Sequence, residues 1–340
     1  MKAIFKRILY LWKILSFLLI SICYANLIEE ITLTNDLAKD IGRAYGFYLG
    51  QDLSLDKILE LYPALSSEVI RARYEFSSNY KSSIEYFDVI MNNYSATEWN
   101  EIKNGLHETL KQMMQNNYFT ETEARQFINV VRQRAKGNID SPVLETFLLF
   151  NPKYQQYPEK EFLDGFRNKY ESSASGKSQG IRFSIEYPKT WKSEDGNRPH
   201  IVQKFVSGRG KGFSIFMIGI HELSLPTGVM ITESDVDEIL NPSDLKELLP
   251  AGAEIMNYGK LTLEGFPGYW VNYKITRARA KNYVTTESAS YFIYYKDKLI
   301  EFDGSAAVSV DNIKIDGGGL NKYEKLFDLM INSFVLYNKY

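Results

Sequence analysis

Two hydrophobic periods divide the chain. In the first half, apolar residues recur at three- and four-residue spacing. Val69, Ala72, Phe76 and Tyr80 form one such stripe, and Ile102, Leu106, Leu110 and Met113 form another, the spacing of a helix with one buried face. Ser95 and Glu98 make a capping box ahead of the second stripe. Thr120 and Glu123 make another, with Phe119 and Ala124 at the staple positions and Gly137 after Lys136 as a stop. Ser141-Pro142 and Tyr157-Pro158 read as helix starts, because proline is tolerated in the first turn. No strand pattern interrupts this half, which predicts an all-α domain of roughly six to eight helices.

The period then changes from helical to alternating. Ile181, Phe183, Ile185 and Tyr187 alternate with Arg182, Ser184 and Glu186, as in a half-buried strand. A strand follows over 201–206. Residues 213–220 are apolar on both faces, which suits a central strand. Helical turns over 233–249 break at Asn241-Pro242. Strand-like runs follow near 255–263, 268–277, 284–295 and 298–303. The last pattern is an amphipathic helix with Leu320, Tyr323, Phe327, Met330, Ile331 and Phe334 on one face. Strands in succession with short turns predict an antiparallel sheet, and helices in the middle and at the end predict covered faces. The fold class is α+β: an N-terminal all-α helical domain, then an antiparallel β-sheet sandwiched by helices.

Between the halves, Ser and Gly supply six of the ten residues 171–180, a composition that reads as a flexible linker. The predicted organisation is a signal peptide over 1–25, a helical domain over 26–170, a Ser/Gly-rich linker over 171–180 and a sheet domain over 181–340.

Phe183-Ser-Ile-Glu-Tyr-Pro-Lys-Thr-Trp191, the segment Leu263–Tyr273 and the helix Phe327–Phe334 resemble the PsbP-like superfamily over about residues 180–337. That resemblance implies an α/β/α sandwich. It also implies a non-enzymatic binding or assembly role, as in the extrinsic photosystem II protein, a Ran-binding nuclear import factor and small bacterial envelope proteins. The helical half resembles no family.

The N-terminus adds an address. Lys2, Lys6, Arg7 and Lys13 precede an apolar run of nine residues, 14–22, which closes on Cys23-Tyr24-Ala25. A basic start, a short apolar stretch and a small residue form a secretory signal, too short to span a bilayer. Export to the periplasm or cell envelope follows, with cleavage after Ala25. Retention of 8–25 as a membrane anchor and lipidation at Cys23 are the alternatives. Cleavage removes the sole cysteine, so the mature chain has no thiol chemistry and no disulfide. It also changes the charge: 36 basic residues remain against 42 acidic, a net of -6. The deficit lies in residues 26–176, which hold 16 basic and 22 acidic residues; residues 177–340 hold 20 of each. A general polyanion binder is excluded, and nucleic acid with it.

The search for chemistry is mostly negative. His107, His200 and His221 are not paired at helical spacing, so no metal site and no cofactor is predicted. Asp235, Asp237 and Glu238 suit the acidic first turn of a helix. Ser-x-x-Lys occurs at Ser54/Lys57, Ser78/Lys81 and Ser243/Lys246, about the frequency chance gives, without the companion motifs of a serine acylase. No catalytic residue is assigned. Gly208-Arg-Gly-Lys-Gly212 lies between two strands and reads as a hairpin loop, with Arg209 and Lys211 available to an anionic partner. Arg277, Arg279 and Lys281 alternate along a strand end. They read as edge protection or as a docking patch for an acidic surface. The expected function is an exported, non-catalytic module binding a protein or a small envelope ligand. The rival is an exported cell-wall hydrolase with its site between the domains.

Overall fold

A computed structural model describes residues 33–115, 118–226, 228–279, 282–311, 313–315 and 318–339. The expected signal over 1–25 and its cleavage site lie outside these residues. The described residues form two compact units that divide between Gln156 and Tyr157.

The first unit is helical. Helix α1 (Asn35–Leu61) is capped by Thr34, whose hydroxyl accepts from the Leu37 amide. Helix α2 (Ser66–Gln115) is broken at Ser95, where φ is -161° and ψ is 96°. Ser95 accepts from the Glu98 amide, so the predicted cap starts a second arm. The first arm runs antiparallel to α1: Tyr94 reaches Asn35, and Arg73 pairs with Asp52 and Asp56. The second arm turns back along α1. Trp99 packs edge-on against Tyr45, while Leu106 and Leu110 lie over Gly46 and Gly50, whose missing side chains let the helices approach. Asp88 of the first arm accepts from Trp99 Nε1 at 2.7 Å and from Lys103 Nζ at 2.9 Å in the second, which fixes the reversal. Helices α3 (Glu121–Ala135), α4 (Val143–Leu149) and α5 (Pro152–Gln156) complete the unit. The Thr120–Glu123 capping box is present in both directions. Phe76, Tyr80, Phe87, Phe147 and Phe150 form its aromatic centre.

The second unit opens earlier than the expected boundary, and residues 171–180 do not link the units. Helix α6 (Pro158–Leu163) and strand β1 (Arg167–Glu171) belong to it, and β1 pairs antiparallel with β2 (Phe183–Pro188). The Ser/Gly stretch is the connection between these paired strands. Ser172 is buried and bonds both the Ile181 carbonyl and the Phe183 amide, which ties the stretch to the sheet. Its composition signalled turns rather than freedom of motion. The signal for β1 was weak because only Tyr170 of its five residues is strongly apolar.

Strands β3 (Lys192–Asp195), β4 (Ile201–Val206), β5 (Ser214–Glu222), β6 (Glu254–Leu263), β7 (Phe266–Arg279), β8 (Asn282–Tyr295), β9 (Lys298–Val310) and β10 (Ile313–Lys314) form an antiparallel sheet of order β3-β4-β5-β9-β8-β7-β6, with β10 on β9. Helices α7 (Glu233–Ile239) and α8 (Pro242–Leu248) separate at Asn241-Pro242 as the break predicts. Asp235 completes a capping box with Thr232, the role expected of that acidic turn. Helix α9 (Leu320–Asn332) and strand β11 (Val335–Leu336) close the chain, β11 joining β1 and β2 in a small second sheet.

Period two sorts the main sheet into two faces. Phe216, Ile218, Ile220, Ile300, Phe302, Tyr291 and Ile293 face α9, where Leu326, Phe327, Met330 and Ile331 bury. Tyr269, Val271, Tyr273, Phe292, Tyr294 and Leu299 face α7 and α8 through Val236, Ile239, Leu245 and Leu248. The result is an α/β/α sandwich.

Two measurements check this packing. A Cβ at Gly304 would stand 2.6 Å from the Phe327 ring, so Gly304→Ala should destabilise the sheet unit by about 1–3 kcal/mol in chemical denaturation. A piece starting at residue 157 should keep the sheet unit folded. A piece starting at 181 loses α6 and β1 and uncovers the apolar surface that Phe162 and Tyr170 cover. It should lose at least about 3 kcal/mol or fail to fold; equal stability of the two would restore the expected boundary.

Candidate functional site

The face of the sheet opposite α9 carries a row of buried polar groups. Strand β9 reads Leu299-Ile-Glu-Phe-Asp-Gly-Ser305. Ile300, Phe302 and Gly304 point to α9, so Glu301, Asp303 and Ser305 point the other way. The register sets their neighbours: Ser290 of β8 opposite Asp303, Ser288 opposite Ser305, and Gly219 of β5 opposite Glu301. Glu301 is 6% exposed and Asp303 4%.

Each carboxylate has its own partners. His221 Nε2 lies 2.9 Å from Glu301 Oε2. Gly219 leaves the room for this pair: a Cβ there would meet His221 Nε2 at 3.2 Å and Glu301 Oε2 at 3.3 Å. Ser290 Oγ donates to Asp303 at 3.0 Å and Ser305 Oγ at 3.3 Å, while Ser305 also shares a 2.8 Å hydrogen bond with Ser288. Tyr273 of β7 stands opposite Ser288 in the register. Burial, and then the charge of Glu301, raise the Asp303 carboxyl to about 7; the two serines and Arg277 pull against this.

The loop before β4 brings in the rest. His200 stacks at a tilt on His221 with ring centroids 4.7 Å apart, and its carbonyl accepts from the Ile220 amide. The ring is 8% exposed, and its Nε2 has no partner within the protein. Burial lowers its pKa to about 4, helped by the charges of His221, Arg198 and Lys177 and opposed by Glu301. Arg198 Nη1 is likewise buried without a partner. Burial and the nearby Arg277 lower the pKa of Arg198. An unmet buried donor costs about 1–3 kcal/mol.

Of the five basic residues singled out in the sequence, Arg209, Lys211 and Arg277 have described side chains, and they lie in two places. Arg209 and Lys211 sit in the β4–β5 turn, where Gly208, Arg209 and Gly210 all have positive φ, as the hairpin reading predicts. The Arg209 amide donates to the Thr190 carbonyl, and Lys211 is exposed. Arg277 is three strands away in β7, roughly 14 Å across the sheet. Beyond Lys274, β7 has outrun β6 and pairs only with β8, so Arg277 stands on an edge. Its charge acts on Asp303, Tyr273 and Arg198. Lys281 and the Arg279 side chain lie outside the described residues. The Ser-x-x-Lys pairs stay apart in chemistry: Ser54 and Ser78 donate to the carbonyls of Gly50 and Glu75, and Ser243 to Asn241. No three His, Cys, Asp or Glu side chains among the described residues converge as metal ligands.

Sequence reading missed Arg198, His200, His221, Glu301 and Asp303 as a group. The only signal was Glu and Asp inside a strand whose other positions are strongly apolar.

No family model matches the chain, and no curated protein matches it. Solved structures do, over about half its length. Cyanobacterial PsbP (CyanoP) from Synechocystis sp. PCC 6803 is 19% identical, with 50% of this chain and 92% of that one covered and a TM-score of 0.33. LpqN, described as involved in cell envelope biogenesis of Mycobacterium tuberculosis, is 12% identical, with 53% and 96% covered and a TM-score of 0.31. PA94 of Pseudomonas aeruginosa, a protein of unknown function and putative regulator, is 11% identical, with 50% and 97% covered and a TM-score of 0.26. These likenesses concern fold alone.

The two shifted groups pull stability in opposite directions with pH. Asp303 has a folded pKa above its unfolded value, so between about pH 4 and 7 the folded state holds the extra proton and stability falls as pH rises. His200 has a folded pKa below its unfolded value, so between about pH 4 and 6.5 the unfolded state holds the extra proton and stability rises. Relative to wild type, Asp303→Asn should tilt the stability profile upward with pH across this window, and His200→Asn should tilt it downward. Denaturation midpoints at several pH values read both slopes; unchanged slopes would mean that neither group is shifted.

Proposed function

We propose that this chain is an exported, non-catalytic envelope protein whose sheet unit binds a protein partner or a small envelope ligand through the polar row. The observation that carries this reading is the row itself. Two carboxylates and a histidine on one sheet face, with a second histidine and an arginine from the loop before β4, gather beside a largely apolar and aromatic layer. Core packing alone does not call for them, since apolar residues of similar volume serve a core as well or better. Chemistry by a serine nucleophile is poorly served: Ser290 and Ser305 give their protons to Asp303, an arrangement that steadies an acid and does not activate a hydroxyl. The basic-apolar-small pattern of residues 1–25 supports export.

One observation favours the hydrolase. Glu301 and Asp303 are neighbouring carboxyls whose environments differ, and the Asp303 carboxyl is raised to about 7, so part of it carries the proton a general acid requires near neutrality. Their burial weighs against it, because a glycan must reach both groups.

Native mass spectrometry on the chain recovered from an envelope extract separates these. The expected result is a bound species, reduced about tenfold or more in His200→Ala. A folded protein that carries nothing, or that releases cell-wall fragments in a manner abolished by Asp303→Asn, overturns the binding reading. Fractionation checks the address: the chain should leave the cytoplasm, and deletion of residues 1–25 should retain it there.

A further inference from the structure

The nitrogens of the polar row that lack protein partners fall together. His200 Nε2 and Arg198 Nη1 are both buried, both unmet, and two residues apart in the loop that leads into β4. Lys177 donates to the Gly196 carbonyl at the base of that loop, which places a second cation beside Arg198 within electrostatic reach of His200. Arg277 comes from β7 and is close enough for its charge to act on Arg198.

Of the two acids, Glu301 acts on His200 against the surrounding positive charges. Glu301 is engaged by His221 at 2.9 Å. Asp303 receives two serine hydroxyls and titrates near neutrality, so much of its charge is absent at neutral pH. No carboxylate enters among the influences on Arg198: burial and another arginine act on it instead. Arginines this placed ordinarily meet carboxylate or phosphate, whose geometry matches the guanidinium fork.

We propose that the Arg198–His200 loop and the adjoining face of β5 and β9 form a binding site for a single anionic oxygen group, a carboxylate or phosphate carried by a small solute. This rests on the binding reading above and names the chemistry of its ligand. Arg198 donates through Nη1, neutral His200 donates through Nε2 in the tautomer that carries the proton there, and Lys177 and Arg277 supply positive potential. Histidine as a neutral donor explains why a depressed pKa is tolerated: the site needs its N–H and not its charge. Gly219 is part of the same construction, since a side chain at that position would press on the His221–Glu301 pair beneath the ligand. The burial of His200 selects a small group that inserts over a flat charged surface that rests outside. Arg209 and Lys211, which the sequence reads as a hairpin loop available to an anionic partner, sit in the β4–β5 turn and are separated from His200 by the length of β4.

The test uses the full chain titrated with inorganic phosphate and with acetate, at constant ionic strength set by chloride, followed by calorimetry and by the thermal midpoint. At least one anion should bind saturably and raise the midpoint. Arg198→Gln should weaken binding at least tenfold, and His200→Ala should weaken it too, whereas Lys211→Gln in the turn should leave it unchanged. Circular dichroism confirms that each variant is folded, and Arg198→Lys, which keeps charge but not the fork, should recover only part of the affinity. Vesicles of phosphatidylglycerol form the second arm and should not compete. A folded wild type with no response to either anion, equal binding by Arg198→Gln, or vesicle binding that needs Arg198 without any binding of free anion would each overturn the proposal. If a bound species is still recovered from envelope extract while both anions fail, the binding reading stands and only this ligand class is lost.

Discussion

The sheet unit depends on the pairing of β9 with β5 on one side and β8 on the other. These are long antiparallel ladders, Ser214–Glu222 against Lys298–Ala306 without a break and Val284–Tyr295 against Lys298–Val310 with one register shift at Thr285/Thr286. Because side chains alternate, the register decides two things at once. It seats Gly304 under the Phe327 ring, which lets α9 close on Phe216 and Phe302. It also directs Glu301, Asp303 and Ser305 to the opposite face and sets them beside Gly219, Ser290 and Ser288. A slip of one residue would carry the carboxyls into the α9 core and Phe302 out of it. The apolar core and the polar row are therefore specified by the same hydrogen bonds.

The polar row persists because its costs are met unevenly. Glu301 has a histidine, and Asp303 has serines and a proton. His200 avoids charge by remaining neutral, and each of these is a known way of holding a titratable group away from water. Arg198 has no such escape, since a guanidinium stays charged. The residue is half-buried, and its buried Nη1 is the donor that the protein alone leaves unmet, which points to a ligand. The pH dependences of Asp303 and His200 oppose one another across the mildly acidic range.

The helical unit solves a different problem by local means. A break at Ser95, held across by Asp88, Trp99 and Lys103, converts what would be a single 50-residue helix into a hairpin around α1. Gly46 and Gly50 let the returning arm approach closely. Its core is aromatic and well packed, and its caps are those the sequence announces.

The sequence by itself determined the elements and their order. The helical stripes, the capping boxes at Ser95 and Thr120, the break at Asn241-Pro242, the main strands and the amphipathic last helix are all where periodicity and local side-chain chemistry put them, because these signals act over a few residues. The α+β class followed from that order. Short or polar strands were not legible: β1 and β3 are held by their partners, and a Ser/Gly stretch looks the same whether it joins two domains or two paired strands. The candidate site was the least legible part. Arg198, His200, His221, Glu301 and Asp303 come from three segments spread over a hundred residues, and in sequence Glu301 and Asp303 look like the solvent side of a strand. Only the antiparallel register and the burial of both sheet faces made them neighbours away from water, because burial and strand-to-strand contact are properties of the folded chain and leave no local periodic signal.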